Sequence, residues 1–288
     1  MTILPEPLTS SSLAPRQSAL VQPKPAGQLA ARLTRPTVSA VLKRWGPWKC
    51  CMALLGVCED GVPLAARWTQ PRKASHYLYL GGDEMTLATV VEPLLYSIAY
   101  QGKVPPRFAG APDASRYAYG RDRIRYAIVS PPSTWWSRGV AEAEHCAGIV
   151  PPESEEGRKL LAALRITMHT RLKGRAKTPQ VQTIVVLHDL GAYWHKWDDE
   201  AREAWRDVLA RGHTVGIHLV VTLRYSHLVD WEAPLPDRKL YGAAGSQPLP
   251  NLPIVRDLAA MGLGNLPAYM GMTRSGGRWM KFVAPSIG

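Results

Sequence analysis

The residues best placed to bind a phosphate group lie around position 81. The strand-like run HYLYLG at 76–81 leads directly into GDEMTLA, which opens a helical pattern. A glycine turn between a strand and a helix presents backbone N–H groups to an anion, so phosphate-binding loops occupy this position in many α/β proteins. The order strand–glycine–helix is common, and by itself it predicts only where a phosphate could bind.

The elements that would position this turn alternate along the chain from about residue 48. Strands are predicted at 50–57, 76–81, 125–130, 183–189 and 216–224, with a later pair at 267–273 and 278–285. Helices are predicted at 85–101, 155–172 and 198–211. Short apolar strands that alternate with helices indicate an α/β fold in which a mostly parallel sheet is sandwiched by helices.

Several segments occur in the order found in one known family. They are ALLGVCEDGVPLAARW at 53–68, TIVVLHDLGAYW at 183–194, RGHTVGIHLVVTLRYS at 211–226 and AAMGLGNLPAYMGM at 259–272. Together with the turn at 81, they resemble the motor domain of FtsK/SpoIIIE-type DNA translocases. The resemblance covers roughly residues 53–285 and implies a RecA-like P-loop NTPase fold.

The resemblance implies a degenerate Walker A motif after residue 80. The nucleotide-binding loop would consist of Gly81, Gly82, Asp83, Glu84, Met85, Thr86, Leu87 and Ala88. A working loop reads G-x-x-x-x-G-K-[ST], and no such run occurs in this sequence. Leu87 stands in place of the lysine and Ala88 in place of the magnesium-binding Ser or Thr. The carboxylates of Asp83 and Glu84 would also repel phosphate.

The resemblance implies losses on two other strands. Asp189 matches the Walker B aspartate, but Leu190 stands where the catalytic glutamate is expected. Arg224 matches a family arginine, but Leu223 replaces the polar sensor residue beside it. Phosphoryl transfer depends on positioning and charge neutralisation, so Asp189 and Arg224 are vestigial and ATP hydrolysis is not expected. No cofactor is expected, and ATP with Mg²⁺ would bind only if the degenerate loop still holds it.

The charge balance favours a polyanionic partner, with nucleic acid first. The chain has 35 Lys and Arg against 23 Asp and Glu, a formal net charge of +12. Two basic runs are candidates for DNA binding: Arg116, Arg121, Arg123 and Arg125, then Arg171, Lys173, Arg175 and Lys177. A solvated loop explains the first run equally well. The second also suits a helix C-terminus, where the helix dipole attracts cations.

The chain is predicted to have two parts. Residues 1–47 are basic, rich in Pro and Ser and without sustained periodicity, which predicts a disordered arm, although a short helix interrupted by Pro36 is an alternative for residues 28–45. Residues 48–288 would form the motor-like domain. No apolar run could span a membrane, no secretory signal is evident, and the four cysteines lack paired spacing, so a cytoplasmic protein without a transmembrane segment is expected. The histidine spacing predicts no metal site.

Three functions remain open. The favoured one is a non-hydrolysing FtsK-like homologue that binds DNA or joins a motor assembly, by self-association or with an active FtsK-like motor. The second is an active ATP-dependent DNA translocase with an unusual loop. The third is a protein-interaction module on a P-loop fold. ATP turnover separates the second function from the first, and salt-dependent DNA binding separates the first from the third.

Overall fold

The computed structural model describes a single sheet with helices on both faces. The described residues are 35–46, 48, 51–68, 76–103, 122–174, 181–229, 231–236, 238–242, 256, 260–275 and 277–288. Within these ranges the sheet has ten strands. The predicted Arg116, Arg121, Arg175 and Lys177 lie outside them, as do residues 1–34.

The sheet combines a parallel and an antiparallel part. Its strands are β1 (Met52–Cys58), β2 (Pro63–Arg67), β3 (Tyr77–Gly81), β4 (Ile124–Val129), β5 (Cys146–Val150), β6 (Gln182–Leu187), β7 (Ile217–Arg224), β8 (Arg238–Gly242), β9 (Met270–Ser275) and β10 (Arg278–Val283). Their order is β2-β1-β10-β9-β8-β3-β7-β6-β4-β5. The strands from β8 to β5 pair in parallel, whereas those from β2 to β9 pair antiparallel, as do β9 and β8. The predicted mostly parallel sheet is confirmed.

The helices begin where the sequence supplies caps. They are α1 (Val38–Trp45), α2 (Glu84–Lys103), α3 (Arg138–Ala141), α4 (Glu155–Lys173) and α5 (Asp199–Arg211). Ser154 accepts the N–H of Gly157 at 3.0 Å, and Asp198 accepts the N–H of Ala201 at 2.8 Å, which satisfies backbone donors at the starts of α4 and α5. The three predicted helices are confirmed, since α2, α4 and α5 occupy the predicted ranges. No helix in the described ranges is long and apolar enough to cross a membrane.

Two apolar layers hold the sheet between the helices. On one face, α4 and α5 pack Leu161 and Trp205 against the sheet. On the other face, α2 contributes Leu94. All five residues of β3 are buried, as expected for a central parallel strand covered on both sides. This packing fixes the strand ends, where the candidate site lies.

The amino-terminal boundary differs from the predicted one. Helix α1 lies inside the stretch predicted as a disordered arm, and its Val38 is fully buried. The N–H of Val38 bonds the carbonyl of Ser286 at 2.8 Å, which ties α1 to the last residues of the chain. Burial of this apolar face explains why the segment folds, and its start after Pro36 agrees with the predicted interruption. Within the described residues, the packed part of the chain therefore includes residues 35–46 as well as those after residue 48.

Three strands have no counterpart among the predicted ones: β2, β5 and β8. β2 pairs with β1 within the segment 53–68. β5 is an edge strand whose residues are exposed or half-buried, and its short run CAGIV has a glycine at its centre. β8 begins with the charged pair Arg238 and Lys239. Pairing with β4 and β3 brings β5 and β8 into the sheet.

Candidate functional site

A cleft opens at the carboxyl edge of the parallel strands, where the sequence predicts the site. β3 ends there at Gly81 and β7 at Arg224, beside the end of β6. The cleft has a volume of about 290 Å³ and is lined by Glu84, Pro131, Pro132, Pro151, Pro152, Glu153, Asp189, Ala192, Tyr193 and Arg224. Three carboxylates thus face one guanidinium in this lining, a charge balance that disfavours phosphate.

The loop before α2 is shorter than a phosphate-binding loop. Only Gly82 and Asp83 separate the last residue of β3 from the first residue of α2. The next five residues of the predicted loop form the first turns of the helix: Glu84, Met85, Thr86, Leu87 and Ala88. The first helical hydrogen bond runs from the N–H of Leu87 to the carbonyl of Asp83 at 3.2 Å, so the backbone N–H groups from Leu87 onward are not free to bind a phosphate.

The carboxylate of Asp83 occupies the N-terminus of α2. Its Oδ1 accepts the N–H of Thr86 at 2.7 Å, and its Oδ2 accepts the hydroxyl of the same residue at 3.0 Å. A phosphate bound at a helix N-terminus would use such backbone donors. The chain therefore supplies from its own side chain the anion that the helix dipole attracts.

Leu87 fills the space over the end of β3. A Cβ added at Gly81 would lie 2.9 Å from Cδ2 of Leu87, so this glycine permits close packing by the leucine. Leu87 is fully buried and Ala88 is nearly so, whereas Met85 is 66% exposed. The position that the resemblance assigns to the phosphate-binding lysine therefore faces the protein interior.

Glu84 is held at the cleft by the loop that follows β4. Its Oε1 accepts a hydrogen bond from the hydroxyl of Thr134, and the hydroxyl of Ser133 lies 3.5 Å from the same atom. Both donors are uncharged. They fix the carboxylate in place without cancelling its negative charge.

The structure brings Asp189 and Arg224 together in a bidentate ion pair. Nε of Arg224 donates to Oδ1 of Asp189 at 3.0 Å, and its second guanidinium nitrogen lies 2.8 Å from Oδ2. Asp189 is 1% exposed. Its backbone has a φ of 52°, in the left-handed region, and its N–H bonds the hydroxyl of Thr222 at 2.7 Å. Both carboxylate oxygens therefore have a cationic partner within the chain.

The surroundings of Asp189 favour its charged form. Burial raises the pKa of its carboxyl, but His227 and Arg224 together lower it by more, so the net pKa lies below the usual value of aspartate. Nδ1 of His227 lies 3.5 Å from Oδ1. The His227 ring also sits over Gly191, where an added Cβ would come within 2.1 Å of Nδ1. A side chain at position 191 would therefore displace this ring.

The two leucines at the expected catalytic and sensor positions belong to the core. Leu190 and Leu223 are fully buried in the apolar layer beneath α4 and α5. Neither side chain lines the cleft. Next to them, His188 is also fully buried, with Nδ1 3.1 Å from the hydroxyl of Thr222, and burial lowers its pKa to about 4. The histidine is therefore neutral near pH 7 and adds no positive charge to the cleft.

The residues of the two predicted basic runs that fall within the described ranges lie at the opposite, amino edge of the sheet. Arg125 is exposed on β4, and Arg123 directly precedes that strand. Arg171 and Lys173 end α4, where a guanidinium nitrogen of Arg171 bonds the carbonyl of Val215 at 2.9 Å. Burial lowers the pKa of Arg171, and the nearby charge of Arg125 lowers it further. The two predicted runs thus meet at one edge, which we call the basic edge: Arg123, Arg125, Arg171 and Lys173.

Sequence reasoning missed two partners of the site. Thr222 anchors the turn at Asp189, and it lies inside the T-L-R run that carried the resemblance, so its place in that motif was a usable signal. Thr134 fixes Glu84 from 50 residues away, and no local pattern marks such a contact. In the described part of the chain, no group of three or more His, Cys, Asp or Glu residues is placed to hold a metal ion.

The fold is similar to that of several solved ATPase structures. The conjugation coupling protein TcpA of pCW3, in its monomer form with ATPγS, shares 13% identity at a TM-score of 0.60, over 90% of this chain and 72% of that one. EssC (ATPases 2 and 3) from Geobacillus thermodenitrificans shares 14% at 0.57, over 88% and 45%. Thermomonospora curvata EccC (ATPases 2 and 3), in complex with a signal sequence peptide, shares 15% at 0.52, over 91% and 43%.

These likenesses define the fold and no more. The chain spans less than half the length of the EssC and EccC chains. No protein-family model matches the chain, and no curated protein sequence matches it at a significant level. The expected architecture is confirmed, and the chain has a RecA-like P-loop fold, as these ATPase structures do.

Proposed function

We propose that this chain is a non-hydrolysing, FtsK-like P-loop domain that binds DNA, alone or as a subunit of a motor assembly. The proposal rests on the loop before α2, where side chains of the chain itself fill the position that a phosphate would take. Asp83 takes the N–H of Thr86, where a phosphate would bind, and Leu87 packs over Gly81. A nucleotide would have to displace the carboxylate and open the apolar packing, with no lysine to attract it.

The DNA part of the proposal rests on the basic edge. Arg125 and Arg171 lie close enough for the charge of one to lower the pKa of the other. Like charges held together in a folded protein are favourable for a polyanion, because phosphates replace the mutual repulsion with attraction and release counterions. The formal net charge of +12 supports the same partner.

An exposed apolar surface beside the cleft favours a second candidate, a protein-interaction module. Trp135 is 70% exposed and Met85 is 66% exposed. Large exposed apolar side chains near a cleft are typical of sites that contact other proteins. The solved EccC ATPases bind a signal sequence peptide, which makes a peptide partner a reasonable second hypothesis for this chain.

Three measurements on the purified chain test the main proposal. Titration with ATPγS and Mg²⁺ should give no saturable heat, and ATP turnover with long duplex DNA should stay at background. Duplex DNA should be retarded on a gel at low salt. The double variant Arg125→Ala with Lys173→Ala should bind DNA more weakly. Its slope of log affinity against log salt should fall by about one for each phosphate that is no longer neutralised. Lys196→Ala is the matched control, because Lys196 pairs with Glu153 beside the cleft.

The alternatives predict different outcomes. Turnover above background that Asp189→Ala abolishes would establish an active translocase and overturn the proposal. Tight binding to a protein partner, abolished in Trp135→Ala and unaccompanied by salt-dependent DNA binding, would favour the interaction module.

A further inference from the structure

A second cavity lies at the amino edge of the strands, away from the degenerate loop. It has a volume of about 650 Å³ and reaches Tyr77, the first residue of β3. Gly81, where the degenerate loop begins, is the last residue of β3, about 13 Å further along the strand at the usual rise per residue. Its volume is in the range of cavities that hold small organic ligands. We call it the amino-edge pocket.

Its walls combine aromatic rings with cations. The rings of Tyr241 and Trp279 meet with centroids 5.6 Å apart, and Cζ of Arg274 lies 5.9 Å from the Trp279 ring centroid. Arg274 pairs with Trp279 across the β9–β10 ladder, and Lys239 is an exposed cation on β8 in the same lining. No carboxylate occurs among the described lining residues.

Leu55, Tyr77 and Leu240 also border the cavity, and each is at most 5% exposed. They belong to the apolar layer on the α2 face of the sheet, whereas Tyr241 and Trp279 pack on the opposite face. The Thr273 hydroxyl donates to the carbonyl of Lys239 at 3.2 Å, which adds a side-chain tie between β9 and β8. The pocket is therefore formed by fixed strands, so a ligand would meet preformed walls.

We propose that the amino-edge pocket binds a nucleotide unit, that is, an aromatic base joined to a phosphate. The base would stack on Trp279, whose ring is half-buried at the pocket, and the phosphate would contact Arg274 and Lys239. Base–aromatic stacking combined with basic side chains is the means by which proteins hold unpaired nucleotides. The two cations disfavour a metal ion, and the ring pair favours a planar ligand over an acidic peptide. The unit could be free or part of a single DNA strand.

This site is independent of the basic edge and of the proposed function, because none of its residues belongs to either. The test uses the full chain and a short fluorescein-labelled oligothymidylate, followed by anisotropy. Thymidine monophosphate, inorganic phosphate and an acidic peptide are the competitors. Trp279→Ala should weaken oligonucleotide binding at least about fivefold, while Trp279→Phe keeps most of it. Arg274→Gln should weaken binding and reduce its salt dependence.

Trp135→Ala is the matched control, because it removes an exposed tryptophan at the opposite edge of the sheet. Thermal unfolding of every variant checks the fold, and if Trp279→Ala does not fold, Trp279→Phe and Arg274→Gln decide. Competition by thymidine monophosphate at nucleotide-equivalent concentrations indicates a free nucleotide, and competition only by the oligomer indicates a strand; either supports the proposal. Equal binding by wild type and Arg274→Gln, or equal competition by phosphate or the acidic peptide, overturns it.

The outcomes separate this inference from the proposed function. If Arg125→Ala with Lys173→Ala abolishes duplex binding and oligothymidylate still binds, both stand at separate places. If duplex binding is absent altogether and thymidine monophosphate binds, the proposed function fails and the pocket remains. If duplex binding persists while Trp279→Ala binds oligothymidylate like wild type, the pocket proposal alone fails.

Discussion

The two edges of the parallel sheet differ in charge and in closure. At the carboxyl edge, Asp83 caps α2, Asp189 is paired with Arg224, and three carboxylates line a small cleft. At the amino edge, Arg125 and Arg171 lie near each other, and a larger pocket carries two cations and no described carboxylate. The carboxyl edge thus pairs its polar groups within the chain, whereas the amino edge has cations available to a partner.

The difference between the edges teaches that packing, as well as charge, can oppose phosphate binding at a strand end. Replacing a lysine with leucine removes a charge. In this chain the leucine also packs over Gly81, and the helix starts earlier than a phosphate loop would allow. Restoring the missing residue types one at a time should therefore damage the fold before it restores a function.

The largest effect is expected for Leu87→Lys. Leu87 is fully buried, so a lysine there must lose its charge or leave the core, which costs more than about 4 kcal/mol of unfolding free energy. ATP binding should not appear. Urea denaturation and an ATPγS titration measure both. Met85→Lys, on an exposed site of the same helix turn, is the matched control and should change stability by less than about 0.5 kcal/mol. A stable Leu87→Lys that binds ATPγS would show that the carboxyl edge is open.

The next effect concerns the buried ion pair. Arg224→Leu leaves Asp189 buried without its main partner, and losses of about 3–5 kcal/mol follow such changes. Arg211→Leu breaks the more exposed pair with Asp207 and should cost less than about 1 kcal/mol. Chemical denaturation of both variants makes the comparison. Equal losses would mean that the pair at the cleft is solvated like a surface pair.

Acid should destabilise both edges. Burial lowers the pKa of His76, at the amino edge, and of His188, at the carboxyl edge, to about 4. The unfolded state takes up these protons first, near pH 6.5, so stability is fully present above that pH and falls as the pH drops through 4. Each histidine contributes up to about 3 kcal/mol to the fall. Unfolding free energies between pH 7 and 4 measure it.

The separate variants His76→Gln and His188→Gln sharpen that experiment. Each should flatten the pH dependence by a similar amount, because burial is the largest cause of both shifts. A change confined to one variant would show that water reaches the other histidine. The lowered pKa of Asp189 acts with the same sign at lower pH, since its charged form is the one the fold stabilises.

Much of the fold could be predicted because buried strands and helix starts have recognisable sequences. The runs that became β3, β6 and β7 are almost wholly apolar, and α4 and α5 begin at a serine and an aspartate that cap them. β2 and β5 were missed because they are short strands at the two edges of the sheet, and β8 because it begins with two charged residues. Helix α1 was assigned to the arm because its partners, such as the segment at Ser286, are distant in sequence.

The sequence supplied candidate residues for the site but not their geometry. Asp189 and Arg224 were assigned separately from a resemblance, and only the parallel pairing of β6 with β7 places them in contact. Matching residues to a motif also assumes the loop length of that motif. The backbone enters α2 after two residues, and no count of residue types reveals that.

The smallest effect is expected for Asp83→Ala, and it tests the role of that carboxylate. As a helix cap, Asp83 contributes about 1 kcal/mol, and Asp83→Ser should keep most of this because serine also accepts the N–H of Thr86. Repulsion from Glu84 acts in the opposite direction, since both carboxylates lie at the same helix start. Urea denaturation of the two variants compares the stabilisation by capping with the repulsion between Asp83 and Glu84. If Asp83→Ala stabilises the chain, repulsion exceeds capping, and the carboxyl edge keeps its negative charge at a cost to the fold.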